Sequence, residues 1–217
     1  MIELYNKLEK LRVNYFQKDI FSMSKISNNI FIYTENIIDD NSGNNFDVEY
    51  TLTLPYECII ISKIEEKNHF NHLKINSAPD IILISKCNNG YKLDILEIKS
   101  SITKNKLEKL PNQLMGGYLR IMSLLAPLHL NIIDIDLYVA FFRENIIINS
   151  HTGNKDLLSS SQNLAMHNIT YWKKNEIYFY KTIDNNFFNK NNIHINKLIY
   201  NDYHNNNNSV TITFPKK

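Results

Sequence analysis

Residues 77–99 carry two apolar runs joined by a tight turn signal, and they restrict the fold more than any other part of the chain. Ser77-Ala78-Pro79-Asp80-Ile81-Ile82-Leu83-Ile84 leads into Asn88-Asn89-Gly90-Tyr91, and then into Lys92-Leu93-Asp94-Ile95-Leu96-Glu97-Ile98-Lys99. Asn89-Gly90 is a favoured pair for the centre of a type I′ turn, because both central residues need positive φ. With Asn88 facing Tyr91, counting outwards sets Asp80 opposite Lys99 and Ile82 opposite Glu97. A strand period of two then predicts Asp80, Glu97 and Lys99 on one face.

The same period sends Ile81, Leu83, Leu96 and Ile98 one way and Ile82, Ile84, Leu93 and Ile95 the other, which predicts a hairpin inside a covered sheet. Neighbouring carboxylates in that setting repel each other and lose hydration. They stay ionised only beside a cation, supplied by Lys99, by a divalent metal, or by both. Ligands that are all oxygen favour Mg²⁺ or Mn²⁺ over zinc.

At 217 residues, with 43% hydrophobic and 21% charged content, the chain suits one globular domain of catalytic size. A formal charge of +2 is too mild to demand a polyanionic partner and does not oppose one. Cys58 and Cys87 lack metal-ligand or redox spacing and read as buried thiols. No apolar run approaches the roughly 18 residues that span a bilayer, and Met1 to Lys7 has no signal core, so the expectation is a soluble cytoplasmic protein with no membrane partner.

Leu4, Leu8, Leu11, Tyr15 and Phe16 fall at helical spacing, which predicts an amphipathic helix over residues 3 to about 20. Strands are predicted at Ile30–Ile38, Phe46–Leu54, Cys58–Ile64, Ile132–Phe142, near Ile146, at Glu176–Thr182 and at Val210–Phe214. Asp39 to Asn45 reads as a turn and Asn205 to Asn208 as a loop tip. Ser100–Leu110 is expected as a loop, with Pro111 opening a helix that ends near Leu125 and is stopped by Pro127. On that helix Gln113, Gly117 and Arg120 share an edge.

With these residues in this order, the chain resembles the PD-(D/E)xK nuclease superfamily: Pro79-Asp80, then Glu97-Ile98-Lys99, then Gln113 on the next helix. The resemblance covers about residues 75–142 and is nearest to the RecB-like nucleases and the nuclease domains of type I restriction enzymes. That subgroup usually places a Tyr four residues after the Gln, whereas Tyr118 stands five after Gln113. The resemblance implies an α/β fold of the restriction-endonuclease-like type, a central mixed β-sheet flanked by helices. The single domain would have its core at about residues 58–142, a helix and strands before it in residues 1–57, and a β-rich extension over residues 143–217.

The function implied is Mg²⁺-dependent hydrolysis of DNA phosphodiester bonds, with Mn²⁺ as a substitute, in an endonuclease of a restriction or defence system. It would act as a homodimer or within a larger defence complex. Asp80, Glu97 and the Ile98 carbonyl would hold the metal, Lys99 would position or deprotonate water, and Gln113 would orient the nucleophile. An additional acid would come from Glu9, Glu49 or Glu57. Arg120 would meet a phosphate, and Tyr171-Trp172-Lys173-Lys174 mixes stacking and basic groups that suit a nucleic-acid strand.

Against each of these stands a plainer alternative. Glu97 and Lys99 also suit a structural ion pair, the three acids suit solvated surface, Arg120 a surface salt bridge, and Trp172 the core. His69 and His72 read as solvent-exposed loop residues. Gly116-Gly117 inside a helix costs about 1 kcal/mol per residue relative to Ala, so a close backbone approach is expected there. The second functional class is a nucleic-acid-binding or assembly subunit that keeps a nuclease-like fold without catalysis.

Overall fold

The strands of the hairpin lie at the centre of a six-stranded mixed sheet. The structure is a computed structural model that describes residues 1–15, 21–26, 29–38, 45–62, 64, 75, 77–146, 168–179, 187–188, 190–200 and 209–215. His69, His72, most of the turn after Ile38, and Asn205 to Asn208 lie outside the described residues. The sheet is built from β1 (Ser22–Ile26), β4 (Cys58–Ser62), β5 (Ile81–Cys87), β6 (Gly90–Ile102), β7 (Ile132–Glu144) and β10 (Asn196–Ile199). The first three pairings are antiparallel, whereas β6 with β7 and β7 with β10 are parallel.

Both faces of this sheet are covered, as the apolar runs require. Ile82, Ile84, Leu93 and Ile95 pack under α1 (Ile2–Tyr15) and α2 (Lys104–Leu125). Ile81, Leu83, Leu96 and Ile98 pack against a second sheet of order β11-β3-β2, formed by β2 (Ile30–Ile38), β3 (Asn45–Thr53) and β11 (Ser209–Thr213). Among the described residues the helices lie on the first of these faces and the second sheet on the other. The C-terminal strands are built into the two layers, since β10 extends the main sheet beside β7 and β11 runs parallel to β3. A small two-stranded sheet, β8 (Glu176–Tyr178) with β9 (Asn192–His194), completes the described strands.

The hairpin register differs by two residues from the expected one. Cys87 pairs with Gly90 and Ile82 with Ile95, so Asn88 and Asn89 make the turn, and neither has positive φ. Asn131, just before β7, decides this: it accepts from the Tyr91 N–H at 2.8 Å and donates its side-chain amide to the Asn89 carbonyl at 2.9 Å. Gly90 is needed for space, since a Cβ there would strike the Asn131 carbonyl oxygen. A shift of two keeps every side chain on its face, so Asp80 moves from beside Lys99 to beside Glu97 while the three charges stay together.

Helix α2 begins seven residues before Pro111, with Thr103 as N-cap accepting from the Lys106 N–H at 3.4 Å. β6 continues to Ile102 because Ser101 and Ile102 pair with Arg143 and Glu144. The expected loop is therefore strand and helix. Pro111 lies inside the helix with its ring buried, so the apolar stripe that includes Leu107, Leu110, Leu114, Ile121 and Leu125 outweighs one missing backbone hydrogen bond. Each such residue, fully buried, contributes about 1.5–3 kcal/mol. The helix gives way to a short 3₁₀ turn, Ala126–Leu128, and His129 at φ 49° turns the chain into β7.

Gly116 and Gly117 meet the segment that carries Asp80. A Cβ on Gly116 would strike the Ser77 carbonyl oxygen, and one on Gly117 would lie 2.6 Å from Pro79 Cδ. Gly117→Ala is expected to lower stability by about 1–2 kcal/mol in urea unfolding, against the gain that helix propensity alone gives. A stabilised variant would show that the helix and the Pro79 segment separate at no cost.

At the turn end of the hairpin, Lys92 lies between Asp94 and Asp136, 2.6 Å from each, with the Tyr56 hydroxyl donating to Asp94. Asp94 is fully buried, which pushes its carboxyl up while Lys92 pulls it down. This is a structural ion pair under the second sheet, at the far end of the strands from Lys99.

Candidate active site

Strand β5 begins at Ile81, and where it ends its ladder the Asp80 side chain takes over. Asp80 Oδ2 accepts from the Ile98 backbone N–H at 2.6 Å. In a strand the N–H and C=O of one residue point to the same side, so the Ile98 carbonyl also faces the side from which Asp80 approaches. Extending the register of β5 and β6 by one pair sets Asp80, just before β5, across from Glu97.

Glu97 is wholly buried, and its two oxygens are used differently. Oε1 receives both the Lys99 ammonium and the Gln113 amide, the latter at 2.5 Å. Oε2 is buried with no hydrogen-bond partner, and Gln113 Oε1 is unpartnered as well. Burial, and then the charge of Asp80, push the Glu97 carboxyl well above the carboxylate range, while Lys99 opposes them. Burial works against charge on Lys99, yet Glu97, Asp80 and Glu35 together raise its pKa above the ordinary value.

Glu35 is the acid that sequence reasoning missed. It comes from β2 in the second sheet, half-buried, and its carboxyl is raised to about 7 by burial and by Asp80, with Lys99 pulling the other way. The signal lay in the alternation of β2: Phe31 and Tyr33 turn inwards onto the core, and Glu35 continues that inward row. Tyr50, paired across from Tyr33, is raised by burial, by Tyr200 and by the charges of Glu35 and Asp80.

The three acids named from the sequence lie elsewhere. Glu9 pairs with Arg12 at 2.6 Å, Glu57 with Lys25 at 3.3 Å, and Glu49 is exposed on the outer face of β3. Arg120 is buried, and its guanidinium donates to the Ser77 carbonyl, where it braces the same Pro79-Asp80 segment that the glycines approach. A buried guanidinium held by a carbonyl does not meet a phosphate, which corrects that expectation. Lys173 and Lys174 are exposed at the end of helical residues 168–173. Trp172 packs on Phe141 at 5.6 Å, donates to Glu144 at 3.0 Å and lies 4.0 Å beneath the Lys197 ammonium, so it belongs to the core. Tyr118 also turns inwards, onto Phe188 at 4.6 Å.

Among the described residues no three His, Cys, Asp or Glu side chains converge closely enough to hold a metal ion by themselves. The oxygens that fit a hard cation are of mixed origin: Asp80, the unpartnered Glu97 Oε2 and the Ile98 carbonyl, with Glu35 nearby. An ionised, buried carboxylate oxygen without a donor is costly unless a cation or a proton meets it. No described helix is long and apolar enough to cross a membrane. Comparison with protein-family models, with curated proteins and with solved structures returns no match.

Proposed function

We propose that the chain is a metal-dependent nuclease that hydrolyses DNA phosphodiester bonds, with a restriction-endonuclease-like fold and the role of an endonuclease in a restriction or defence system. The observation that carries this reading is the division of Glu97: one oxygen saturated by Lys99 and Gln113, the other buried and unpartnered beside Asp80. The fold supports it as well, since an antiparallel run of β4, β5 and β6 is followed by α2 and then by a parallel β7.

Asp80, Glu97 and the Ile98 carbonyl would hold Mg²⁺ or Mn²⁺, and Glu35 adds a further carboxylate to the set. When bound, the cation polarises the phosphate and lowers the pKa of its water. Lys99, kept charged by three carboxylates, supplies a proton-bearing cation beside the reacting phosphate and stabilises negative charge there. Gln113 fixes the orientation of Glu97 through its amide and leaves its own carbonyl oxygen to accept from the attacking water.

The Glu97–Lys99 ion pair is also what a binding or assembly subunit would keep. Cleavage separates the two readings. Purified protein incubated with linear, circular and single-stranded DNA and with RNA is expected to cut DNA in Mg²⁺ or Mn²⁺ and to be inert in EDTA. Nicking or linearisation of the circle marks an endonuclease. Binding of DNA without cutting in either metal would favour the non-catalytic subunit.

A further inference from the structure

Tyr200 follows β10 at the edge of the main sheet, yet its hydroxyl donates to the carbonyl oxygen of Lys99, two strands away, at 2.7 Å. Its own N–H donates to the Phe141 carbonyl at 3.1 Å, and Phe141 is the β7 residue in register with both Ile199 and Lys99. The side chain thus crosses β7 along a line that the ladder itself fixes. Its ring is buried between the two sheets and meets Tyr50 edge to face, with centroids 5.9 Å apart.

The position matters because β6 is losing a neighbour there. Pairing with β5 ends at Ile81 and Leu96, so on that side the next residues of β6 have no strand beside them in the ladder. Asp80 holds this stretch from the β5 side, accepting from the Ile98 N–H, and from the β7 side, where the ladder continues, the Tyr200 hydroxyl donates to the Lys99 carbonyl. Lys99 carries its ammonium on a flexible four-carbon stem, so the place of its charge depends on how firmly its own peptide is held.

We propose that Tyr200 is a positioning residue for Lys99, its hydroxyl anchoring the Lys99 peptide so that the ammonium is delivered to Glu97 and to the reacting phosphate. This rests on the nuclease reading. It also gives β10 and the chain just beyond it a part in the site.

Tyr200→Phe keeps the ring and removes the hydroxyl, whereas Tyr200→Leu removes both. The expected result in steady-state DNA cleavage is a kcat about tenfold lower for Tyr200→Phe with KM unchanged, and a similar kcat for Tyr200→Leu. Thermal melting should separate the two, with Tyr200→Leu several degrees less stable than Tyr200→Phe. DNA binding in Ca²⁺ is expected to match wild type for Tyr200→Phe, which reports its folding independently of cleavage. A Tyr200→Phe kcat within about twofold of wild type overturns the inference, as does a kcat loss that follows melting temperature across the two variants. A wild-type protein that cuts no substrate overturns the nuclease reading and this inference together, whereas an active wild type confines any failure to Tyr200.

Discussion

Glu97→Ala and Lys99→Ala are each expected to lower Mg²⁺-dependent DNA cleavage by about a thousandfold, and to do so for different reasons. Glu97 offers a buried carboxylate oxygen left without a hydrogen-bond donor beside Asp80, so its removal is expected to abolish Mg²⁺ binding in calorimetry. Lys99 is a donor to Glu97, so Lys99→Ala is expected to keep Mg²⁺ and lose rate. Both substitutions leave former partners behind: Gln113 and Lys99 in the first, a buried carboxylate in the second. Circular dichroism must therefore show each variant folded before its rate is read. Cleavage at the wild-type rate by either folded variant would remove that residue from the chemistry. Loss of Mg²⁺ binding in Lys99→Ala alone would reverse the roles assigned here.

Glu35→Gln carries the second large effect, and it has two signs. In the folded protein the Glu35 carboxyl is raised to about 7 by burial and the Asp80 charge, against an ordinary value of 4.5. Below the ordinary value both folded and unfolded chains are protonated there, so the group contributes no pH dependence. As pH rises from that value through about 7, the unfolded chain releases its proton first and the folded chain loses stability; above that window the effect is complete. Without metal, the wild-type melting temperature is therefore expected to fall across this window, and Glu35→Gln is expected to fall less and to be the more stable protein at pH 8. Divalent cation should invert the order, because Mg²⁺ requires the ionised form. Wild type should gain Mg²⁺ affinity as pH rises through about 7, while Glu35→Gln gains less and cleaves more slowly. Identical pH dependence of melting in the two proteins would remove Glu35 from the charge cluster.

These two predictions draw unequally on sequence. The hairpin and its charges were legible because apolar runs on both faces demand a covered sheet, and a period of two fixes which residues share a face. Even the wrong register cost nothing in that respect, since the slip was an even number of residues. The slip itself arose because Asn131, forty-two positions beyond Asn89, pins the turn through its side chain and its carbonyl. No local turn preference contains that contact.

Glu35 was hidden for a related reason. β2 exposes Ile30 and Ile32 on its outer face, 48% and 56% accessible, while its inner row runs from Phe31 and Tyr33 to Glu35. With apolar residues on both sides of the strand, hydrophobicity does not say which row is inward, and the sequence points to Glu9, Glu49 and Glu57 instead. Each of those three had a local or surface fate: Arg12 three residues away for Glu9, Lys25 on the adjacent strand for Glu57, and exposure for Glu49. Arg120 misled in the opposite direction. A helix-edge arginine reads as surface, but Gly116 and Gly117 draw the Ser77–Pro79 segment onto α2 and bury the guanidinium against the Ser77 carbonyl. The glycine pair did announce a close approach, though not which backbone would make it.

By itself the sequence determined the two-sided apolar hairpin, the common face of Asp80, Glu97 and Lys99, and the presence of a helix after them that carries Gln113. All of these follow from periodicities that each residue shares with its near neighbours. Tertiary structure alone decided the turn register, the second sheet that covers the other face, the arrival of Glu35 and the bond from Tyr200 to Lys99. Those depend on which distant strands pair, β11 with β3 and β10 with β7, and pairing across such separations is set by the summed burial of two cores.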